Sequence, residues 1–359
     1  MQASRGTALT SSIRSWIQSW LLRTWQKRGV VACVLWPLSK VFQLIVSFRF
    51  GLFVLGYKPQ TKVDVPVIVV GNIFVGGTGK TPLVIWLVQQ LQTAGWHPGV
   101  ISRGYGAHAD SIMVVDADSQ AVVVGDEPLL IAQHTGVPVA VGRDRVAVAR
   151  SLLASQPVID VLIADDGLQH YFLARDIEIM LFDERGAGNG WVLPAGPLRE
   201  PVQRRRDFTV LNASASVPLA SVPGIPATIV RMQLEPHFAY QLSAPSCRQS
   251  LNDFSTKKLC AAAGIGNPQR FFNMLRAAGL ELNTLALADH FQFDSRTFVN
   301  IDADCILITE KDAVKCRQIP ELQNDARIWV VPVVAQLDSS FATDLLHMIS
   351  EKKHGRSSA

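Results

Sequence analysis

The feature that most constrains this chain lies between residues 65 and 91. Val65-Pro66-Val67-Ile68-Val69-Val70 is a short apolar run rich in β-branched residues, the composition of a strand buried on both faces. It enters Gly71-Asn72-Ile73-Phe74-Val75-Gly76-Gly77-Thr78-Gly79-Lys80-Thr81-Pro82. Leu83, Val84, Leu87, Val88 and Leu91 then repeat at helical spacing, and Pro82 sits where a first helical turn accepts it. Strand, glycine loop, Lys-Thr and helix in this order is the context of a phosphate-binding P-loop. Glycines let backbone amides close around phosphate oxygens, and the helix N-terminus adds its dipole. Phe74, Val75, Gly76, Gly77, Thr78, Gly79, Lys80 and Thr81 are therefore the candidate nucleotide cradle. Lys80 supplies the point charge and the Thr81 hydroxyl a Mg²⁺ ligand. One departure stands out: Phe74 occupies the position where the common pattern has its first glycine.

Strand-like and helical runs alternate after the loop. Gly99–Ser102, Val137–Val141, Val158–Ala164 and Ile177–Phe182 read as strands, Arg143–Ala154 as a helix, and Ala121–Val124 as a further short strand. This predicts an α/β fold, a P-loop NTPase-like doubly wound parallel sheet with ligands at the strand C-termini. A smaller second α/β lobe and an N-terminal membrane-associated helical segment complete the expected architecture. The expected boundaries are 1–62, 63–210 and 211–359. Residues 212–256 are turn-rich and weakly periodic, compatible with strands of that second lobe.

An acid at the end of an apolar strand after a P-loop is where Mg²⁺ is held. Asp165 and Asp166 both qualify, Asp165 being nearer the strand; the alternative for each is a turn or helix-capping role. A GTPase switch is not indicated, because Gly167 follows the two aspartates directly. Thr309-Glu310-Lys311-Asp312 has Lys and Asp adjacent, the wrong spacing for a guanine-reading motif, and stands open between a base contact and a solvated turn.

Charge is unevenly spread along the 359 residues. Residues 1–63 contain nine Lys/Arg and no Asp or Glu, while the remaining residues carry 25 basic and 30 acidic side chains. Four of the eight tryptophans lie in the basic segment. An acidic main body disfavours nucleic acid as a partner. A basic, Trp-rich, apolar start points to an anionic membrane surface. Ile13, Trp16, Ile17 and Trp20 fall on one helical face. Residues 30–57 are more apolar but interrupted by Pro37, Lys40 and Arg49, so the segment reads as an interfacial or marginally spanning anchor. The five cysteines form no CxxC pair, which argues for reduced thiols and against a zinc site. Nothing in the sequence points to an obligate protein partner.

A P-loop specifies a nucleotide, not an acceptor. Three further constellations carry chemistry whose roles spacing alone leaves open: Gly125-Asp126-Glu127-Pro128, Asp289-His290-Phe291 and Pro194–Pro201 with its Arg199-Glu200 pair. Together with the P-loop, these segments resemble the tetraacyldisaccharide 4′-kinase family. So do Ser102-Arg103-Gly104-Tyr105-Gly106, Asp165-Asp166-Gly167-Leu168-Gln169-His170, Ala263-Gly264-Ile265-Gly266 and Thr309-Glu310-Lys311-Asp312-Ala313-Val314-Lys315-Cys316. The motifs run in order from about residue 65 to 316, and Phe74 matches a non-glycine in the family.

The resemblance implies ATP-dependent phosphorylation of the 4′-hydroxyl of a tetraacylated glucosamine disaccharide 1-phosphate, a lipid A precursor. It implies Lys80 and Thr81 at phosphate and Mg²⁺, with Asp165, Asp166, Gln169 and Glu200 around the metal. It also implies Asp126 as base with His290 as its partner, and a cytoplasmic-face inner-membrane location. His170 and Arg199 are candidate charge-balancing groups. The main rival, a P-loop ATPase switch, usually carries a second lysine near the loop start, where this chain has Phe74 and Val75.

Overall fold

The computed structural model describes residues 24–104, 111–219, 222–225 and 229–357. The expected amphipathic turn around Ile13–Trp20, and Tyr105-Gly106, lie outside the described residues. Helix α1 is Val30–Val54; then come β1 (Val67–Gly71), α2 (Lys80–Thr93), β2 (Pro98–Ser102), β3 (Met113–Val115), α3 (Ala121–Val124), α4 (Asp126–Thr135) and β4 (Val139–Val141). The chain continues through α5 (Arg145–Ser155), β5 (Val161–Asp165), β6 (Ile177–Asp183), β7 (Phe208–Asn212), β8 (Val230–Pro236), β9 (Phe238–Gln241) and β10 (Arg248–Ser250). It ends with β11 (Leu259–Ala263), α6 (Pro268–Ala277), β12 (Asn283–Ala286), β13 (Cys305–Thr309), α7 (Glu310–Cys316), α8 (Pro320–Gln323), β14 (Ile328–Val331), β15 (Val333–Leu337) and α9 (Ser339–Ser357).

Nine strands form the first sheet in the order β15-β8-β7-β6-β1-β5-β2-β4-β3. Its central pairings are parallel, and only the β3 and β15 edges run antiparallel. Strand β1 is buried along its whole length between β5 and β6, as its β-branched run requires. Val70 pairs with Asp165, so the glycine loop and the aspartate leave neighbouring strand ends. Helices α2, α4 and α9 cover one face, with Leu83, Leu87, Leu91, Phe341 and Leu345 in the core; α5 covers the other.

The second sheet has the order β10-β9-β14-β13-β11-β12, with α6 on one face and α7 on the other. The chain crosses between the sheets at His237 and again at Pro332. The sheets therefore divide the chain differently from the 210/211 boundary. Strand β7 runs through residue 210, β8 and β15 extend the first sheet, and α9 packs into its core. A local apolar run identifies a strand but not the sheet it joins, which is why the return of β15 and α9 is invisible to periodicity.

One local reading changes as well. Ala121–Val124 is a helical turn, not a strand: Ala121 and Val124 are both buried at i, i+3 spacing, and packing overrides the β preference of three valines. Helix α1 runs for 25 residues with Pro37 inside it.

Helix α1 is long and apolar enough to cross a bilayer, about 37 Å at 1.5 Å per residue. Val34, Leu38, Val41, Leu44, Ile45 and Phe48 are exposed, and only a narrow stripe meets the body. Ser39 Oγ donates to Val192 O at 2.6 Å, Arg49 Nη2 to Gln169 O at 3.4 Å, and Phe53 packs edge-on against Phe172 at 4.9 Å. Trp25 is buried ahead of the helix, its indole donating to Pro194 O at 2.9 Å.

Candidate active site

Gly79 caps α2 with φ 94°, and a side chain there would strike the Asn212 amide. Glycine is thus required twice, for the left-handed backbone and for space. Gly77, Thr78, Gly79, Lys80 and Thr81 line a cleft whose far wall comes from the second lobe, through Gly266, Arg270, Phe271 and Lys311. Gly266 packs against the Gly77 amide so closely that a Cβ would collide with it. Phe74 does not face this cleft. Its ring is buried in the first sheet's core beneath the Arg185 guanidinium, 4.3 Å from the ring centroid, and the Val75 amide donates to Pro197 O.

Lys80 Nζ lies 3.3 Å from Asp166 Oδ1 and donates to Asn72 Oδ1 at 3.2 Å. Burial opposes the Lys80 charge, but Asp166, Glu127 and Asp165 outweigh it and hold its pKa above the ordinary value. Asp165 ends β5 almost fully buried; Oδ2 accepts from Ser102 Oγ at 3.1 Å, and Oδ1 has no partner among the described residues. Burial pushes its carboxyl up to about 7, and the Glu127 charge adds to the push. A buried carboxylate oxygen with no donor among the described residues, at the end of the strand next to the one that enters the P-loop, suits a hard cation such as Mg²⁺.

Asp166 takes a left-handed backbone, φ 51°. Burial would raise its pKa, but Lys80 and Arg199 hold it below the ordinary value. Glu200 is buried and paired to Arg204 at 3.2 Å, and the Gln169 amide nitrogen is buried without a partner among the described residues. Among the described residues, no three or more His, Cys, Asp or Glu are gathered as a metal cluster. His170 is half-buried, its pKa lowered by burial and then by Arg145.

The remaining site residues meet across the lobes. Asp126 opens α4 of the first lobe and His290 lies in a loop of the second, yet His290 Nδ1 is 3.2 Å from Asp126 Oδ2. Lys315 Nζ stands 3.7 Å and Lys311 Nζ 3.9 Å from the same oxygen. Burial alone would raise the Asp126 carboxyl; the hydrogen bond to His290 and the two lysines bring it down to about 2. Lys311 also donates to Glu127 at 2.9 Å and lies 3.6 Å from Asp289. Glu127, partly buried, is held below its ordinary pKa against that burial by Lys311 and Lys80. His134 Nε2 and Glu310 Oε1, 2.8 Å apart, make a further inter-lobe contact.

Fully buried Asp312 braces the second-lobe side. It caps the Gly264 amide at 3.0 Å and accepts from Thr309 Oγ1 at 2.7 Å, tying the Ala263–Gly266 loop to α7. The Thr309–Asp312 motif is therefore not a solvated turn: Thr309, Glu310 and Lys311 line the P-loop cleft, Lys311 neutralises carboxylates and Asp312 braces its own lobe.

The sequence-predicted residues separate into two groups: Lys80 and Thr81 with Asp165 and Asp166 on one sheet, and Asp126 with His290 between lobes. Lys311 and Lys315 were not assigned a role by sequence, and neither were Arg185, Asn212 or Arg270. Asp126 lies more than a hundred residues from both lysines, as do Gly77 from Arg185 and Thr78 from Asn212, and no local spacing carries that signal.

Known proteins similar to this chain fall in one family. The family model described as tetraacyldisaccharide-1-P 4′-kinase matches residues 31–350. A tetraacyldisaccharide 4′-kinase of Janthinobacterium sp. (strain Marseille) is 55% identical over 352 residues, covering 96% of this chain and 99% of that protein. One from Herminiimonas arsenicoxydans is 54% identical over 359 residues, covering 96% and 98%. The crystal structure of LpxK from Aquifex aeolicus in complex with ATP superimposes with a TM-score of 0.73 at 27% identity, covering 89% of this chain and all of that one.

Proposed function

The chain belongs to the tetraacyldisaccharide-1-P 4′-kinase family, and from that premise we propose how its residues divide the work. It is an ATP-dependent kinase that phosphorylates the 4′-hydroxyl of a tetraacylated glucosamine disaccharide 1-phosphate, giving lipid IVA. The Gly76–Thr81 loop holds the triphosphate, with Lys80 as its cation. Thr81 and Asp165 would hold Mg²⁺, with Asp166, Gln169 and Glu200 around it. The metal, when bound, neutralises charge on the transferring phosphoryl group. Asp126 orients the acceptor hydroxyl and takes its proton as the new O–P bond forms and the β–γ bridge breaks; His290 shares that proton. Lys311 and Lys315 keep Asp126 ionised. Arg199, 3.9 Å from Asp166, is placed to balance phosphate charge.

The single observation that carries this division is the His290–Asp126 contact across the lobes, beside Lys311, which lines the same cleft as Lys80. The experiment supplies purified protein in detergent with Mg-ATP labelled at the γ-phosphate and the tetraacyl disaccharide 1-phosphate. Label is expected in the lipid product at the 4′ position. ATP hydrolysis without labelled lipid would support a switch ATPase instead.

The protein is membrane-associated, and the finer placement proposed is the cytoplasmic face of the inner membrane. The exposed face of α1, the basic Trp-rich start and an acyl substrate that stays in the bilayer support it. Because Trp25, Ser39 and Phe53 are anchored in the body, removing residues 1–60 would strip core contacts as well as the anchor. Leu44→Asp with Phe48→Asp is the cleaner test: the variant should leave vesicles while retaining ATP binding. Retention on vesicles would point to a second membrane surface.

A further inference from the structure

Three consecutive carbonyls of the glycine loop are each claimed by a side chain. Asn72 Nδ2 donates to Gly76 O at 3.0 Å, Arg185 Nη2 to Gly77 O at 2.9 Å and Asn212 Nδ2 to Thr78 O at 2.9 Å. A planar trans peptide points its C=O and N–H in opposite directions. Holding these oxygens therefore aims the Gly77, Thr78 and Gly79 amides away from the three side chains. None of the three amides donates to a protein acceptor among the described residues. Successive amides turned to one side make an anion nest.

The three donors stand just beyond or at the ends of three adjacent strands: Asn72 after β1, Arg185 after β6 and Asn212 at the end of β7. Each is itself fixed. Asn72 and Asn212 are fully buried. Arg185 grips buried Asp183 through Nε at 2.9 Å and Nη2 at 2.6 Å while lying over the Phe74 ring. The non-glycine at position 74 thus gives the guanidinium its platform.

We infer that Asn72, Arg185 and Asn212 are positioning residues that preset the phosphate-binding amides through their carbonyls. They act on ATP through the loop rather than by touching the nucleotide. This rests on the reading that the glycine loop holds the ATP phosphates, so the test carries a separate control for that reading.

Arg185→Lys keeps the charge and an aliphatic stem over Phe74, but one ammonium cannot reproduce the fork that holds Asp183 and Gly77 together. ATP affinity should fall roughly tenfold in Arg185→Lys and roughly tenfold in Asn212→Ala, the size of one lost hydrogen bond of this type. Competition by adenosine, which has no phosphate, should stay within about twofold of the parent, as should KM for the lipid. ATP affinity of Arg185→Lys within about twofold of the parent would overturn the inference. So would equal weakening of ATP and adenosine, the mark of general damage to the fold. Lys80→Ala, measured alongside, separates the two readings. If it loses ATP while Arg185→Lys does not, only the anchor is refuted; if it binds ATP normally, the loop is not the phosphate site.

Discussion

The two sides of the cleft are built in different ways. The nucleotide side stands on one sheet: the glycine loop, Lys80 and Asp165 leave neighbouring strand ends, and every loop carbonyl that matters is held within that lobe. The acceptor side is composite, with Asp126 from the first lobe and His290, Lys311 and Lys315 from the second. The carbonyls of the sheet-borne half are held from within the first lobe, and the second lobe touches its loop through Gly266 against Gly77. The composite half exists only where the lobes meet, so acceptor activation depends on their contact in a way that phosphate binding does not.

The largest separation of the two halves comes from Asp126→Ala. Turnover should fall roughly 10²- to 10⁴-fold, as for loss of a general base, with ATP affinity within about threefold; kinetics and a nucleotide titration check both. Parallel losses would break the comparison. Lys311→Met leaves Asp126, Glu127 and Asp289 facing one another without their shared cation. It should destabilise the fold by about 3 kcal/mol in denaturant melts and lower turnover, because buried carboxylates lose their partner.

The third effect is a pH dependence. Asp126 has a folded-state pKa of about 2, below its ordinary 3.8. It therefore contributes stability above its ordinary pKa that is lost as pH falls from about 4 toward 2, on the order of 2 kcal/mol. Asp126→Asn should flatten the acid limb of the stability curve across that window; an unchanged limb would contradict the assignment. The smallest effect concerns the outlying inter-lobe pair. The Glu310 hydrogen bond raises the His134 pKa, so its stabilisation is present below the ordinary value and lost as pH rises through the raised one. His134→Gln should change turnover by less than about threefold, since the pair is partly exposed. A larger loss would show that closure, and not local chemistry, governs the site.

Legibility in the sequence followed the same divide. Strand, glycine loop and helix are contiguous, so β1, the loop and α2 could be read from residues 65–91, and Asp165 from its place after an apolar run. Asp126 and His290 are 164 residues apart, and spacing offered nothing to join them; the motif resemblance did. The role of Lys311 stays open in the sequence because two of its three carboxylate partners, Asp126 and Glu127, come from the other lobe. Arg185 and Asn212 sit in unremarkable segments and gain meaning only from the carbonyls they reach. Ala121–Val124 misled because valine favours strands locally while burial at i, i+3 selects a turn of helix. The excursion of the chain into a second sheet and back between His237 and Pro332 has no local signature at all.

The most direct test of a base assembled across the lobes is a double-mutant cycle on Asp126→Asn and His290→Ala, measured as turnover with saturating Mg-ATP and lipid. Residues that work as one unit lose their effects together, so the double variant should be about as slow as the slower single. Losses that multiply independently would mean that Asp126 and His290 act apart, and the composite site would have to be abandoned.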